Sequence, residues 1–279
     1  MPLKPKSISS SLATQKRVRK SRKNTKAPCE VCSSRKLSKK SGLYRLKKGD
    51  THLRQYLPAT PELTSQATIK QSQHVSLTGL KPNRVVFYFA TTSNMHTTMG
   101  AKITEFVKAY DTLQNSGVGK TDNSGKMDMN IACPQIYLAE DGQIYSRHFH
   151  IIYWDARIKK WDDKIYTHQI FCSVDKQFVK SIMRSHPGVV IIDALSPEYF
   201  NKKHIKGAIN IPAKGHQWTL TEIMAKLPAG SNATTPMILY CWSPECNAAE
   251  KLWGQLNKLG FYNTFHYEGG ISQWDGDVE

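Results

Sequence analysis

From about Ser173 onward the chain alternates short apolar runs with amphipathic stretches, and this alternation narrows the fold more than any other feature. The runs VVIID (189–193), AINIP (208–212), MILYC (237–241) and NTFHYE (263–268) are strand-length and rich in residues that suit a buried sheet. Between them, DKQFVKSIMRS (175–185), PEYFNKKH (197–204), LTEIMAKL (220–227) and NAAEKLWGQLNKLG (247–260) read as helices, the last closed by Gly260. Such an order builds an α/β unit, an open, mainly parallel sheet with helices on both faces. Its crevice lies at the carboxyl ends of strands, and MILYC delivers Cys241 there.

The preceding segment, 84–169, has a different texture. VVFYFAT (85–91) is a buried-strand run, and ITEFVKAYDTL (103–113) sets Ile103, Phe106, Val107, Tyr110 and Leu113 at helical spacing. NSGVGKTDNSGKMD (115–128) reads as a loop by composition. Two strands flank Asp141-Gly142 in QIYLAEDGQIYSRHFHIIYW, and a turn at ARIKKWDDK leads to a third, IYTHQIFC. A small α+β domain with an antiparallel meander is expected. His148 and His150 share one face of a strand, with Arg147 and Phe149 on the other. They are spaced to ligate a metal, but the sequence offers no third ligand, so a solvated or stacked sheet face is expected.

Charge divides the chain further. The net charge is +17, yet residues 1–56 hold 17 Lys/Arg against only Glu30 and Asp50, while the remainder holds 22 bases and 20 acids. Residues 1–56 therefore form a basic arm without an apolar period, followed by a Pro/Thr/Gln/Ser-rich linker over 57–83. KRVRKSRK (16–23) fits a nuclear-import signal, an organelle presequence, a solvated tail or a tether to nucleic acid or another acidic surface. Tyr44 and Tyr56 are its only aromatic residues, so binding there would be electrostatic rather than base-reading. Cys29 and Cys32 form a CxxC pair, two of the four ligands of a structural zinc, and His52 and His74 are poorly spaced to complete it. No apolar run is long enough to span a membrane, no secretory segment is evident, and six cysteines are too few for a dense disulfide framework. An intracellular setting, nucleus or cytoplasm, is expected, with no cofactor.

The C-terminal part, residues 170–279, resembles the rhodanese family. VVIIDALSPEYFNKKHIKGAINIP (189–212) carries the family's strand ending in Asp193 and its H-I-x-G-A-x-N-I-P element from His204 through Gly207 to Pro212. EGGISQW (268–274) supplies the closing Gly269, Gly270 and Trp274. The resemblance implies a sulfurtransferase in which a cysteine thiolate, here Cys241, accepts a sulfane sulfur as a persulfide. A cradle of backbone N–H groups over 242–247 would stabilise it, from Trp242, Ser243, Glu245 and Asn247, with Asn247 also placed to cap the next helix.

The loop departs from the common C-x-x-G-x-R pattern of that family. Pro244 lacks an N–H, Glu245 adds negative charge, and Cys246 stands where an anion-binding Arg is usual. Leu195 and Lys203 likewise replace an Arg and a Gly. Asn247, six positions after Cys241, removes the Arg of the C-x5-R loop that phosphatases of this fold require. Cys246 instead permits resolution of a persulfide or sulfenate on Cys241 as a disulfide, a relay between two thiols. The alternative is a non-catalytic structural or assembly protein, for example a minor capsid or virion component of a large DNA virus. There the rhodanese fold would be a docking body and the arm would bind neighbouring proteins or nucleic acid.

Overall fold

The computed structural model describes residues 42–45, 55–63, 72–92, 102–103, 109–110, 113–138, 142–213 and 217–279, with backbone alone at 42–45, 72 and 102–103. The Cys29-x-x-Cys32 pair, His52, most of the basic arm and most of ITEFVKAYDTL lie outside the described residues.

In chain order the strands are β1 (Gly42–Arg45), β2 (Ser72–Leu77), β3 (Val85–Ala90), β4 (Lys102–Ile103), β5 (Ser116–Lys120), β6 (Met127–Ala132), β7 (Tyr137–Leu138) and β8 (Ile144–Tyr145). They continue with β9 (His148–Asp155), β10 (Lys160–Trp161), β11 (Lys164–Gln169), β12 (Ser173–Val174), β13 (Val190–Asp193), β14 (Ile209–Asn210), β15 (Met237–Tyr240) and β16 (Thr264–Tyr267). Four α-helices are described over their whole length: α1 (Lys176–Ser185), α2 (Pro197–Phe200), α3 (Leu220–Met224) and α4 (Ala248–Lys258).

The first sheet runs β1-β11-β9-β3-β5, every neighbour antiparallel. Its run VVFYFA looks continuous in sequence because both faces are covered. Val86, Tyr88 and Ala90, with Phe149, Ile151 and Tyr153, face a core continuous with that of the second sheet. Phe87 and Phe89 face a smaller cluster with Tyr110, Tyr137, Ile152 and Trp161. Period-two alternation thus sorts one apolar string into two cores.

Three expectations need correction here. SGVGK, inside the stretch read as a loop, is strand β5, and the last two residues of that stretch, Met127 and Asp128, open strand β6. SQHVSL, inside the stretch read as a linker, is β2, paired antiparallel with β6 from Ser72–Ala132 to Leu77–Met127. Gly42–Arg45, inside the arm, pairs with β11. In each case pairing partners override a polar, Gly-rich composition that taken alone favours a turn.

The second sheet has the order β12-β16-β15-β13-β14, and every pairing is parallel. This is the open parallel sheet expected from the alternation. α1 begins where the Asp175 side chain accepts from Phe178 N–H at 2.7 Å, a conventional cap. α3 begins with a reciprocal Thr219–Glu222 capping box. α4 ends before Gly260, whose φ of +94° turns the chain toward β16.

Covalent and polar ties join the β2–β6 pair and the start of β9 to the parallel sheet. Cys133 and Cys172, both fully buried, form a disulfide with Cα atoms 5.8 Å apart. The Gln73 side chain bonds both the N–H and the carbonyl of Ser173, at 2.6 and 3.0 Å. The buried Arg147 guanidinium donates to the Pro134 carbonyl and to Asn263 Oδ1 at 2.6 Å, and covers the Phe265 ring at 4.1 Å. Burial lowers its pKa to about 9, so it stays charged at neutral pH. Among the described residues no helix is long and apolar enough to cross a membrane.

Candidate functional site

Cys241 stands directly after β15, the central strand of the parallel sheet, and ahead of α4. It is 1% exposed, and Cys246 is 3% exposed. Cys241 Sγ lies 3.2 Å from the Cys246 carbonyl oxygen and 4.0 Å from that of Ser243, so its S–H donates to backbone oxygen. The loop closes on itself through Cys246 N–H donating to the Ser243 carbonyl at 2.9 Å. Across this one tight turn the Cys241 sulfur meets the backbone of Cys246, the other cysteine singled out in the sequence.

The other loop residues take distinct places. Glu245 is exposed, and its carboxylate accepts from Ser243 Oγ at 2.7 Å. Asn247 is buried at the N-cap position of α4, but its side chain makes no capping bond. Trp242 is half-buried and meets the Tyr199 ring edge-on at 6.5 Å, so α2 supplies one wall of the loop.

The closing Gly-Gly element holds this loop from below. Ile271 N–H donates to the Cys241 carbonyl, and Ser272 N–H to that of Trp242, both at 2.9 Å. Gly270 has φ +59°, and a Cβ there would stand 2.6 Å from the Cys241 carbonyl oxygen. Glycine is required on both counts. Trp274 packs edge-on against Tyr267 at 5.7 Å and donates Nε1–H to the Asp277 carbonyl.

Asp193 and His204 support the neighbouring strand ends. The Asp193 carboxylate is fully buried and accepts from Leu195 N–H at 2.8 Å. Burial raises its pKa to about 6, against the lowering effects of the Leu195 N–H, the Tyr240 hydroxyl and His204. Tyr240 Oη accepts from Ile205 N–H at 3.0 Å, and burial, with Asp193 nearby, pushes its pKa far up. His204 Nδ1–H donates to the Phe200 carbonyl at 2.9 Å, and its ring stacks on Phe200 at 3.8 Å. Its backbone exchanges two bonds with Glu279. Gly207, at φ +78°, makes the turn into β14. The roles of Tyr199 and Tyr240 are not marked by any sequence motif considered above.

His148 and His150 take the stacked rather than the solvated form of the expected sheet face, packed among the rings of Phe89, Tyr110 and Tyr137. Neither is solvated: they are 5% and 9% exposed, and both Nε2 atoms meet the hydroxyl of buried Tyr110. Burial pushes the His148 pKa down and that of His150 well down, and raises that of Tyr110 well above its usual value. His74, poorly spaced in the sequence to complete a zinc site with Cys29 and Cys32, sits in β2 beside Asn130 at 3.2 Å. Among the described residues no group of three or more His, Cys, Asp or Glu side chains is placed to hold a metal. A cleft of about 450 Å³, lined by residues including Ile144, Leu220, Met224 and Phe261, opens at the amino ends of the strands, away from Cys241.

Comparison with known proteins bears on the C-terminal part. A family model described as a rhodanese-like domain matches residues 176–277. No curated protein matches the chain. Solved structures similar to it include the BH2092 protein of Bacillus halodurans, 28% identical, with a TM-score of 0.33 over 39% of this chain and 76% of that one. They also include the human single-domain sulfurtransferase TSTD1, 18% identical, with a TM-score of 0.31 over 37% of this chain and 93% of that one. A third is the rhodanese-like domain of the Alr3790 protein from Anabaena, 19% identical, with a TM-score of 0.31 over 39% and 80%. With the family model and the parallel sheet in agreement, residues 176–277 of this chain form a rhodanese-like domain.

Proposed function

We propose that the rhodanese-like domain relays sulfane sulfur through Cys241, with Cys246 as the second thiol. The observation that carries this reading is the approach of Cys241 Sγ to within 3.2 Å of the Cys246 carbonyl at the end of the central strand. A donor persulfide R–S–SH transfers its outer sulfur to the Cys241 thiolate, forming Cys241–S–SH and releasing RS⁻. An acceptor thiolate R′S⁻ then takes that sulfur as R′S–SH and regenerates Cys241. In its absence the Cys246 thiolate attacks Cys241 Sγ, forming a disulfide and expelling HS⁻, and an external thiol reduces the pair. Thiosulfate suits the loop poorly, since Glu245 brings negative charge and no Arg occupies the loop. The sulfur is buried, so turnover requires the 242–246 loop to open.

The test is transfer from glutathione persulfide to a thiol acceptor, followed with purified full-length protein. Loss of transfer in Cys241→Ser, with disulfide formation abolished in Cys246→Ser, supports the relay. Transfer unchanged in Cys241→Ser rejects it.

A second reading follows from that same burial: the domain serves as a non-catalytic docking body, and residues 1–56 bind acidic partners by charge. Deleting 1–56 would then abolish partner association while the rhodanese-like domain stays folded; undiminished association rejects it.

A further inference from the structure

The loop between α3 and β15 lies at the opposite end of the strand from Cys241 and has no part in sulfur transfer. It carries Asn232-Ala233-Thr234, the one Asn-x-Ser/Thr triplet in the chain. Such a triplet can accept an N-linked glycan where its amide reaches solvent. Asn232 is exposed. It opens a turn in which Thr235 N–H donates to the Asn232 carbonyl at 3.1 Å, and Asn232 N–H to Thr235 Oγ1 at 2.8 Å. The direction of the side-chain amide is fixed by its partners. Thr234 N–H lies 2.9 Å from one terminal atom, and a backbone N–H only donates, so that atom is Oδ1. Thr234 Oγ1–H donates to the same oxygen at 2.7 Å. Nδ2 therefore points the other way, with a 3.3 Å contact to the Gly230 carbonyl. The amide has two hydrogens, so a sugar replacing one leaves the other for Gly230 and both bonds to Oδ1 in place. The turn survives the modification.

Two further observations support a glycan here. Asn232 lines the cleft of about 450 Å³ together with Leu220 and Met224, which are 50% and 39% exposed. The apolar C–H faces of sugar rings linked to Nδ2 would cover these side chains, which otherwise face water. The second observation is the Cys133–Cys172 disulfide, independent of the loop. Both cysteines are 0% exposed, so an oxidant does not reach them in the folded protein and the bond forms while the chain is still open. Bonds of this kind belong to oxidising compartments and are rare in the cytosol and nucleus. Exported chains are also the ones in which Asn-x-Thr triplets are modified.

We propose that this chain passes through an oxidising export compartment and that Asn232 there receives an N-linked glycan, which lies across Leu220 and Met224. This setting departs from the nucleus or cytoplasm expected from the sequence. In the transfer, Asn232 Nδ2 bonds to the anomeric carbon of an oligosaccharide carried on a lipid diphosphate. The bond from that carbon to the diphosphate breaks, the lipid diphosphate leaves, and the amide gives up one proton. The Cys133–Cys172 bond forms by exchange with the disulfide of an oxidant protein, which leaves as a dithiol.

The experiment is expression of the full-length chain in eukaryotic cells, followed by peptide mass spectrometry without reductant, before and after digestion with a peptide N-glycosidase. A glycopeptide spanning Asn232 is expected, with conversion of Asn232 to aspartate by the glycosidase and a matching loss of apparent mass on gels. Asn232→Gln and Thr234→Val should each abolish the glycan. Thr234→Ser keeps the triplet and should keep the glycan, which separates loss of the acceptor from loss of the fold; circular dichroism checks each variant. The glycopeptide of the parent decides even if a variant fails to fold. Unmodified Asn232 in the folded parent, with Cys133 and Cys172 linked or reduced, overturns the proposal, as does a glycan that persists in Asn232→Gln.

Discussion

Gly270 and Cys241 are in contact through backbone alone: a Cβ on the glycine would come within 2.6 Å of the cysteine's carbonyl oxygen. The same carbonyl accepts from Ile271 N–H, so the closing Gly-Gly element fixes where the strand ends and the loop begins. The clash with backbone cannot be relieved by a side-chain rotation, and the φ of +59° adds its own strain. Gly270→Ala should therefore cost about 2–4 kcal/mol of stability. Denaturant unfolding checks this, and a loss below about 0.5 kcal/mol, as at an ordinary surface site, would contradict it.

Asp193 predicts a pH dependence of opposite sign to that of most acids. Its folded pKa of about 6 lies above the ordinary 3.8, so the folded state holds the proton more tightly than the unfolded chain. The stabilisation is complete below about pH 4 and is lost as pH rises through about 6, a swing on the order of 3 kcal/mol. Asp193→Asn cannot ionise and should flatten stability between pH 4 and 7 relative to the parent. Parallel pH profiles for parent and variant would refute this assignment.

The disulfide ties the end of β6 to the start of β12 across 39 positions of sequence. Closing a loop of that length removes unfolded-state entropy worth about 4 kcal/mol at most. The Cys133→Ala, Cys172→Ala pair should unfold at lower denaturant by up to that amount. Peptide mapping without reductant should recover the linked pair; finding both cysteines alkylated in the folded, unreduced protein would contradict the bond.

What could be read in the sequence follows from which forces act locally. β13, β15 and β16 are buried on both faces of a parallel sheet, so their sequences are mostly apolar, with Asp193, Thr264 and His266 as the polar exceptions, and stand out. β2, β5 and β6 are polar or Gly-rich and become strands only through one another and through β3, a non-local cause that composition does not carry. At the site, the position of Cys241 was legible from MILYC and the helix behind it. The Cys241–Cys246 approach depends on the turn through Ser243, and Tyr199 reaches Trp242 from 43 positions away. Tyr110 was legible only as an apolar helix position, because its partners His148 and His150 follow 38 and 40 positions later.

The sulfur relay rests on one covalent species. Intact-mass and peptide mass spectrometry of the full-length protein, after incubation with glutathione persulfide, should show one added sulfur atom located on Cys241. The adduct should be absent in Cys241→Ser and persist longer in Cys246→Ser, where no second thiol expels it. Folded protein that acquires no sulfur at Cys241, from this or any other persulfide donor, would contradict the relay.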